Sequence, residues 1–280
     1  ALSSVAATYD LFVFDCDGVI WDGSDPLPGS IEAVKTLRAH NKRVVFCTNN
    51  STKSRAAYAT KFAGMGLDVD VADIYTSSFA AAKLLQRDGH AKVYVIGEDG
   101  LTTELKENGL ECVGGSDEPR DFDEEFWKAF QADPDVTALV LGWDRAFSFR
   151  KMAIAHRYVE GGAAFYATNP DRGDMLAGRF CPGAGTILAS VEHSTQRKAI
   201  IAGKPSVDLI ETIISDHHKG LPRERVCMIG DRLDTDIDMA VRAGLPSILV
   251  LSGVTTKDEA DASDIRPHHI LDSISRLIDN

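Results

Sequence analysis

Apolar runs rich in β-branched residues recur along the chain at 11–15, 43–48, 93–97, 137–142, 164–168, 225–230 and 247–251. Between them the apolar positions switch to helical spacing, as in Ile31, Val34 and Leu37 after Pro28-Gly29, or Leu209, Ile210 and Ile213 after Ser206. Strand and helix in alternation predict parallel sheets covered by helices, an α/β fold with a Rossmann-like, doubly wound core. In such sheets ligands bind at the carboxyl ends of the strands, and three of these ends carry polar residues: Asp15, Thr48 and Asp231. A long stretch of further β and α pattern separates the second of them from Lys204. It predicts a second α/β domain at 91–198, inserted into a core made of 1–90 and 199–280. The acidic run 117–125, with Pro119 inside it, is expected to be a solvated loop.

Length agrees with two domains, since 280 residues exceed the usual single domain and 44% hydrophobic content supplies one large core or two modest ones. A net charge of −12 and a pI near 5.1, with no basic block, argue against nucleic acid as a partner. They leave small anionic substrates open, because a few fixed cations and helix N-termini make one cleft locally positive. No apolar run approaches the roughly 20 residues a membrane span needs. Five cysteines without zinc-knuckle or dithiol spacing point to a reduced, intracellular compartment. The chain opens at Ala1 without Met, which fits removal of an upstream segment such as an organelle transit peptide.

Candidate chemistry sits at the strand ends. Asp15-Cys16-Asp17-Gly18 follows the apolar run Leu11-Phe12-Val13-Phe14, so two carboxylates two residues apart can converge on one cleft. Asp15 suits a nucleophile toward phosphorus once cations mask the repulsion between anions, and Asp17, crowded by like charge, suits the acid that protonates a leaving oxygen. Alone, Asp-Gly is ordinary turn chemistry. Thr48-Asn49-Asn50-Ser51 follows the second strand and precedes a helix, offering hydroxyl, amide and backbone donors to a phosphate, although a plain helix cap uses the same residues. Gly203-Lys204-Pro205 presents one lysine ahead of a helix, able to neutralise transferring oxygens. Gly230-Asp231-Arg232-Leu233-Asp234-Thr235-Asp236 supplies hard oxygen ligands, with Asp231 as ligand to Mg2+, Asp236 orienting Lys204 or a metal-bound water, and Asp234 capping the next helix. Four weak fragments in one consistent order outweigh their separate bland explanations. The pairs His217-His218 and His268-His269 are expected to be solvated, and Cys16 and Cys47, which flank the motifs, to be buried small hydrophobes.

The four motifs in this order resemble the haloacid dehalogenase superfamily, and Asp17 matches its phosphatase branch. The insertion resembles the α/β cap of the family that holds phosphoglycolate, pyridoxal and p-nitrophenyl phosphatases. Longer strings, Phe14 to Trp21, Thr48 to Arg55, Ser77 to Ala82 and Gly230 to Ile237, are most similar to the plant and algal phosphoglycolate phosphatases. The resemblance implies Asp15 as nucleophile, Asp17 as acid/base, and magnesium on the Asp15 side chain, the Asp17 carbonyl and Asp231. It implies phosphate held by Thr48, Asn49, Asn50 and Lys204. Counting from Ala167-Thr168-Asn169-Pro170-Asp171, which resembles the start of the family's specificity loop, puts the discriminating side chain at Asp174, with Arg172 or Arg179 as partners for a carboxylate. It further implies hydrolysis of a small phosphorylated metabolite, 2-phosphoglycolate first and pyridoxal 5′-phosphate or p-nitrophenyl phosphate as alternatives. A homodimer through the cap and a chloroplast stromal location, with the cytosol as alternative, follow from the same resemblance. Outside it stand a phospho-signalling receiver module, which uses a similar acid cluster without turnover, and a phosphomutase.

Overall fold

The computed structural model describes residues 1–176, 179–217 and 220–278. The chain forms two compact units, one of 1–48, 56–75 and 204–280 and the other of 49–55 and 76–203. In the first, six strands lie in the order His269–Leu271, Ser247–Val250, Val226–Gly230, Leu11–Phe14, Arg43–Thr48 and Ile74–Thr76. Leu11–Phe14 pairs in parallel with Val226–Gly230 on one side and Arg43–Thr48 on the other, with Phe14 level with both Ile229 and Phe46. A strand flanked on both edges and covered on both faces tolerates only apolar side chains, and Leu11 to Phe14 are all buried. Phe12, Phe14, Phe46 and Phe62 share one core with Trp21 and Tyr58, and the Phe46 and Phe62 ring centroids are 4.3 Å apart. Each such ring stabilises the unit by about 1.5–3 kcal/mol relative to exposure.

The second unit carries its own five-stranded sheet, in the order Ile200–Ile201, Ala164–Ala167, Ala138–Leu141, Lys92–Ile96 and Glu111–Gly114, parallel throughout. An antiparallel hairpin, Gly173–Leu176 with Arg179–Pro182, follows the Ala164–Ala167 strand. The α/β architecture agrees with the sequence, while the division differs from 90/91 and 198/199. Helix Ser77–Arg87 goes with the second unit because Ala81, Ala82, Leu84 and Leu85 pack against Val93, Val95, Leu101 and Leu105. At the other end, Ile200–Ile201 hydrogen-bonds beside Tyr166 and Ala167, so 199–203 are not part of the core. Both segments look locally like any α/β piece, and only their packing assigns them. Among the described residues, no helix is long and apolar enough to cross a membrane.

Candidate active site

Because three neighbouring strands run in parallel and in register, their carboxyl ends open at one edge of the first unit's sheet. Asp15 extends the central strand by one rung, its N–H donating to the Ile229 carbonyl at 2.8 Å. Its Oδ1 accepts from Cys16 N–H at 2.7 Å and lies 2.8 Å from Lys204 Nζ. Lys204, almost fully buried, divides its ammonium among Asp15, Asp236 Oδ1 at 2.7 Å and the Cys47 carbonyl at 3.0 Å. An ammonium has three protons, and these three partners converge on it from three different strand ends.

Asp231 begins the loop after Val226–Gly230. Its Oδ2 accepts from Val254 N–H at 2.7 Å, and its buried Oδ1 has no hydrogen-bond partner among the described residues. Two glycines permit this approach: a Cβ on Gly18, at φ +75, would lie 2.5 Å from Asp231 Oδ2, and one on Gly253 2.0 Å. A π-helical turn, Leu233–Ile237, then returns Asp236 beneath Gly230, where a Cβ would meet the Asp236 carboxyl carbon at 2.1 Å. Asp15, Asp231 and Asp236 each offer a carboxylate oxygen within 4.8 Å of the others. Burial raises the affinity of all three for a proton, Asp236 to about 6 and Asp231 well above the ordinary carboxylate value. Burial also works against the Lys204 charge, but Asp15 and Asp236 outweigh it and hold the amine protonated.

Three buried carboxylates facing one ammonium leave a surplus of two negative charges when ionised. An all-oxygen donor set with one orphaned lone-pair site and surplus negative charge fits a small hard divalent cation, as magnesium is, and does not suit a softer ion that prefers nitrogen or sulfur. Asp17 stands beside this cluster in sequence, half-buried, its Oδ1 accepting from the Trp21 indole N–H at 2.8 Å. Trp21 is itself gripped by Phe62 and Tyr58 of the core, with centroids 4.8 and 6.0 Å away. Thr48, buried, hydrogen-bonds the Tyr58 side chain.

Asn49 and Asn50 fall in the second unit. The Asn49 amide donates to Asp171, at 3.1 and 3.2 Å, and the Asn50 side-chain oxygen accepts from Thr52 N–H and Oγ1–H at 2.9 and 2.7 Å. Asp174 sits on the hairpin strand opposite Cys181, and its side chain lies outside the described residues. Arg172, just before the hairpin, and Arg179, on its second strand, are exposed.

Two expectations change. Asp234 caps no helix: it is exposed and pairs with Arg232 at 3.2 Å, and the next helix has no side-chain cap. His217 is not solvated: its side chain, 5% exposed, meets Arg43 at 2.8 Å and the Tyr75 hydroxyl at 3.0 Å. His218 lies outside the described residues. His268 is exposed as expected, its Nδ1 accepting from Ser247 N–H at 3.3 Å. The thiols of Cys16 and Cys47 are fully buried, and burial lifts both above the ordinary value, Cys47 to about 12, so neither is a ready thiolate. Two contributors went unrecognised in the sequence, Trp21 and the Ser252–Gly253–Val254 turn. The second had a signal, Ser252-Gly253 directly after the strand run at 247–251.

Two family models match the chain, haloacid dehalogenase-like hydrolase over residues 12–111 and HAD-hydrolase-like over 201–277. The chain is 39% identical over 278 residues to phosphoglycolate phosphatase 1A, chloroplastic, of Arabidopsis thaliana, covering 96% of this chain and 76% of that one. To the 4-nitrophenylphosphatase of Schizosaccharomyces pombe it is 36% identical, with 96% and 93% covered. The structure superposes with a TM-score of 0.84 on a glycerol phosphate phosphatase of Mycobacterium tuberculosis in complex with magnesium, at 28% identity, covering 100% and 79% of the two chains. This chain belongs to the haloacid dehalogenase-like hydrolases. Within them it is a phosphatase, a phosphoric monoester hydrolase.

Proposed function

We propose that the chain is a magnesium-dependent phosphatase that hydrolyses a small phosphate monoester through an aspartyl phosphate on Asp15. The observation that carries this reading is the meeting of Asp15, Lys204, Asp231 and Asp236 at adjoining strand ends, where an anionic nucleophile, a fixed cation and a surplus of carboxylates coexist. An Asp15 oxygen attacks phosphorus as the bond to the leaving oxygen breaks, and Asp17 gives that oxygen its proton. Water then attacks the aspartyl phosphate, Asp17 takes a proton from it, and orthophosphate and free Asp15 are restored. Lys204 and the Thr48 hydroxyl hold phosphoryl oxygens, and Asn49 and Asn50 add donors from the loop that follows. Asp15, the Asp17 carbonyl and Asp231 would hold magnesium, which masks charge between the two anions. Asp236 keeps Lys204 charged and aimed.

For the substrate we propose 2-phosphoglycolate, supported by the 39% identity to the Arabidopsis enzyme and by exposed Arg172 and Arg179 as partners for a carboxylate. The second unit, with Asp174 on its hairpin, serves as the specificity domain. A second reading, glycerol phosphate, is supported by the likeness to the mycobacterial enzyme. Initial rates at fixed magnesium on these two esters, pyridoxal 5′-phosphate and 4-nitrophenyl phosphate decide it: a larger kcat/KM for any ester other than 2-phosphoglycolate refutes the assignment. A plastid location goes with the first substrate. A homodimer through the second unit is supported by the aromatic side chains it leaves in solvent, Phe149 and Phe180 at 60% and 57% exposure, and a sedimentation profile of monomer alone refutes it.

A further inference from the structure

Asp17 and Trp21 stand four residues apart in a turn that main-chain hydrogen bonds close: Gly18 N–H donates to the Trp21 carbonyl at 2.8 Å, and Ile20 N–H to the Cys16 carbonyl at 2.8 Å. The turn brings the Trp21 indole N–H to Asp17 Oδ1 at 2.8 Å. The ring that carries this donor is fully buried and clamped from several sides. It stacks on Tyr58 at an interplanar angle of 14°, and Phe62 meets it edge-on. Lys61 Nζ lies 3.7 Å from an indole ring centroid and donates to the Gly23 carbonyl at 2.8 Å. All of these residues belong to the first unit.

We infer that Trp21 is a positioning residue for Asp17: its indole N–H, held still by Tyr58, Phe62 and Lys61, sets the plane of the carboxyl that passes a proton to the leaving oxygen. This rests on the reading above that Asp17 is the acid of phosphoryl transfer. An aspartate carboxyl turns about a soft, roughly two-fold torsion, so its own chain does not aim it. A donor fixed in a packed core does. The indole nitrogen can only donate, so Oδ1 stays the acceptor whether Asp17 carries its proton or not. General acids act only within hydrogen-bond reach of the leaving atom, and a misplacement of about 1 Å costs about a hundredfold. The same packing bears on a second site residue, because Tyr58, on which the indole stacks, hydrogen-bonds the Thr48 side chain. A buried phenylalanine at position 21 would fill most of the space and supply no donor.

The test uses the full chain with Trp21→Phe, which keeps an aromatic ring and removes the N–H. The measurement is kcat/KM on phenyl phosphates whose ring substituent runs from 4-nitro to 4-methoxy. This ratio reads the reaction as far as the aspartyl phosphate, the step in which Asp17 gives up its proton. Nitrophenolate leaves with little help, whereas methoxyphenolate needs the proton. Trp21→Phe is expected to lower kcat/KM about tenfold more at the 4-methoxy end than at the 4-nitro end. In an Asp17→Asn chain it should add little, since the two changes remove one function. A packing defect would slow every ester alike. Should Trp21→Phe not fold, 3-benzothienylalanine at position 21, with the bicyclic shape of indole and sulfur in place of N–H, carries the test. Equal losses across the series, or none, in the folded variants overturn the inference, as does a full further loss in the Asp17→Asn chain. If Asp17→Asn itself shows no dependence on the leaving group, the acid reading has failed first; if it does and Trp21→Phe does not, the inference alone has failed.

Discussion

Among the described residues each unit buries one lysine, and the two lysines live differently. In the second unit, Lys151 Nζ meets Asp144 Oδ2 at 2.6 Å with both side chains at 0% exposure, and Asp144 Oδ1 accepts from Ala146 N–H at 2.8 Å. That pair is balanced, one charge against one, and it ties the 142–148 loop to helix Phe149–Glu160. In the first unit, Lys204 faces Asp15 and Asp236 with Asp231 beside them, and the account does not balance. A buried pair of equal charges is architecture, whereas a buried surplus of one sign stores unfavourable energy that a proton or a bound cation relieves. The chemistry belongs to the unbalanced site.

The comparison breaks most sharply at Asp15. Asp15→Asn is expected to cut steady-state phosphate release by about a thousandfold or more while leaving the thermal midpoint in chelator no lower than that of the unaltered protein. Residual turnover within about tenfold of the original would remove the covalent route. Lys151→Ala should do the reverse. It strands the Asp144 carboxylate and costs about 3–5 kcal/mol in denaturant unfolding, with turnover per folded molecule retained. Magnesium sharpens the contrast further: at about a hundred times its dissociation constant it should stabilise the chain by about 2.7 kcal/mol, and Asp231→Asn should abolish most of that gain. An equal gain in Asp231→Asn would separate the carboxylate cluster from metal binding.

The smallest effect is expected where charges pair in water. Asp10 is held below the ordinary aspartate value of 3.8, first by its hydrogen bond to Arg225 and then by Lys42. A lowered carboxyl stabilises the fold above the unfolded-state value and loses that contribution as pH falls through the folded one. Asp10→Asn should therefore cost less than about 1 kcal/mol at pH 7, the same at pH 6, and nothing once pH falls well below 3.8. Unfolding midpoints across that range check it.

How much could be read in advance follows from how local each signal is. The strand at 11–14 and the acids after it were legible because a doubly covered strand writes a continuous apolar run, and a polar residue directly after it has nowhere to point but the sheet edge. Ile74–Thr76 and His269–Leu271 were not: three residues are too short for a period, and His269 gives the latter strand a polar start. His217 looked solvated at a helix end, yet its ring is engaged by Arg43 and Tyr75, far away in sequence. The limits of the second unit failed in the same way, since helix Ser77–Arg87 has one apolar face and no local mark of which sheet it covers.

The sequence by itself determined the α/β class, the set of strand-end carboxylates and the lysine that answers them, because hydrophobic period and side-chain chemistry are properties of neighbours along the chain. Only the tertiary structure decided that Asp236 reaches Lys204, that Trp21 holds Asp17 and that Asn169 holds the carbonyl of Asn49. These are hydrogen bonds and charge pairs whose distances depend on how strands register and loops close. A residue's own neighbours do not encode them.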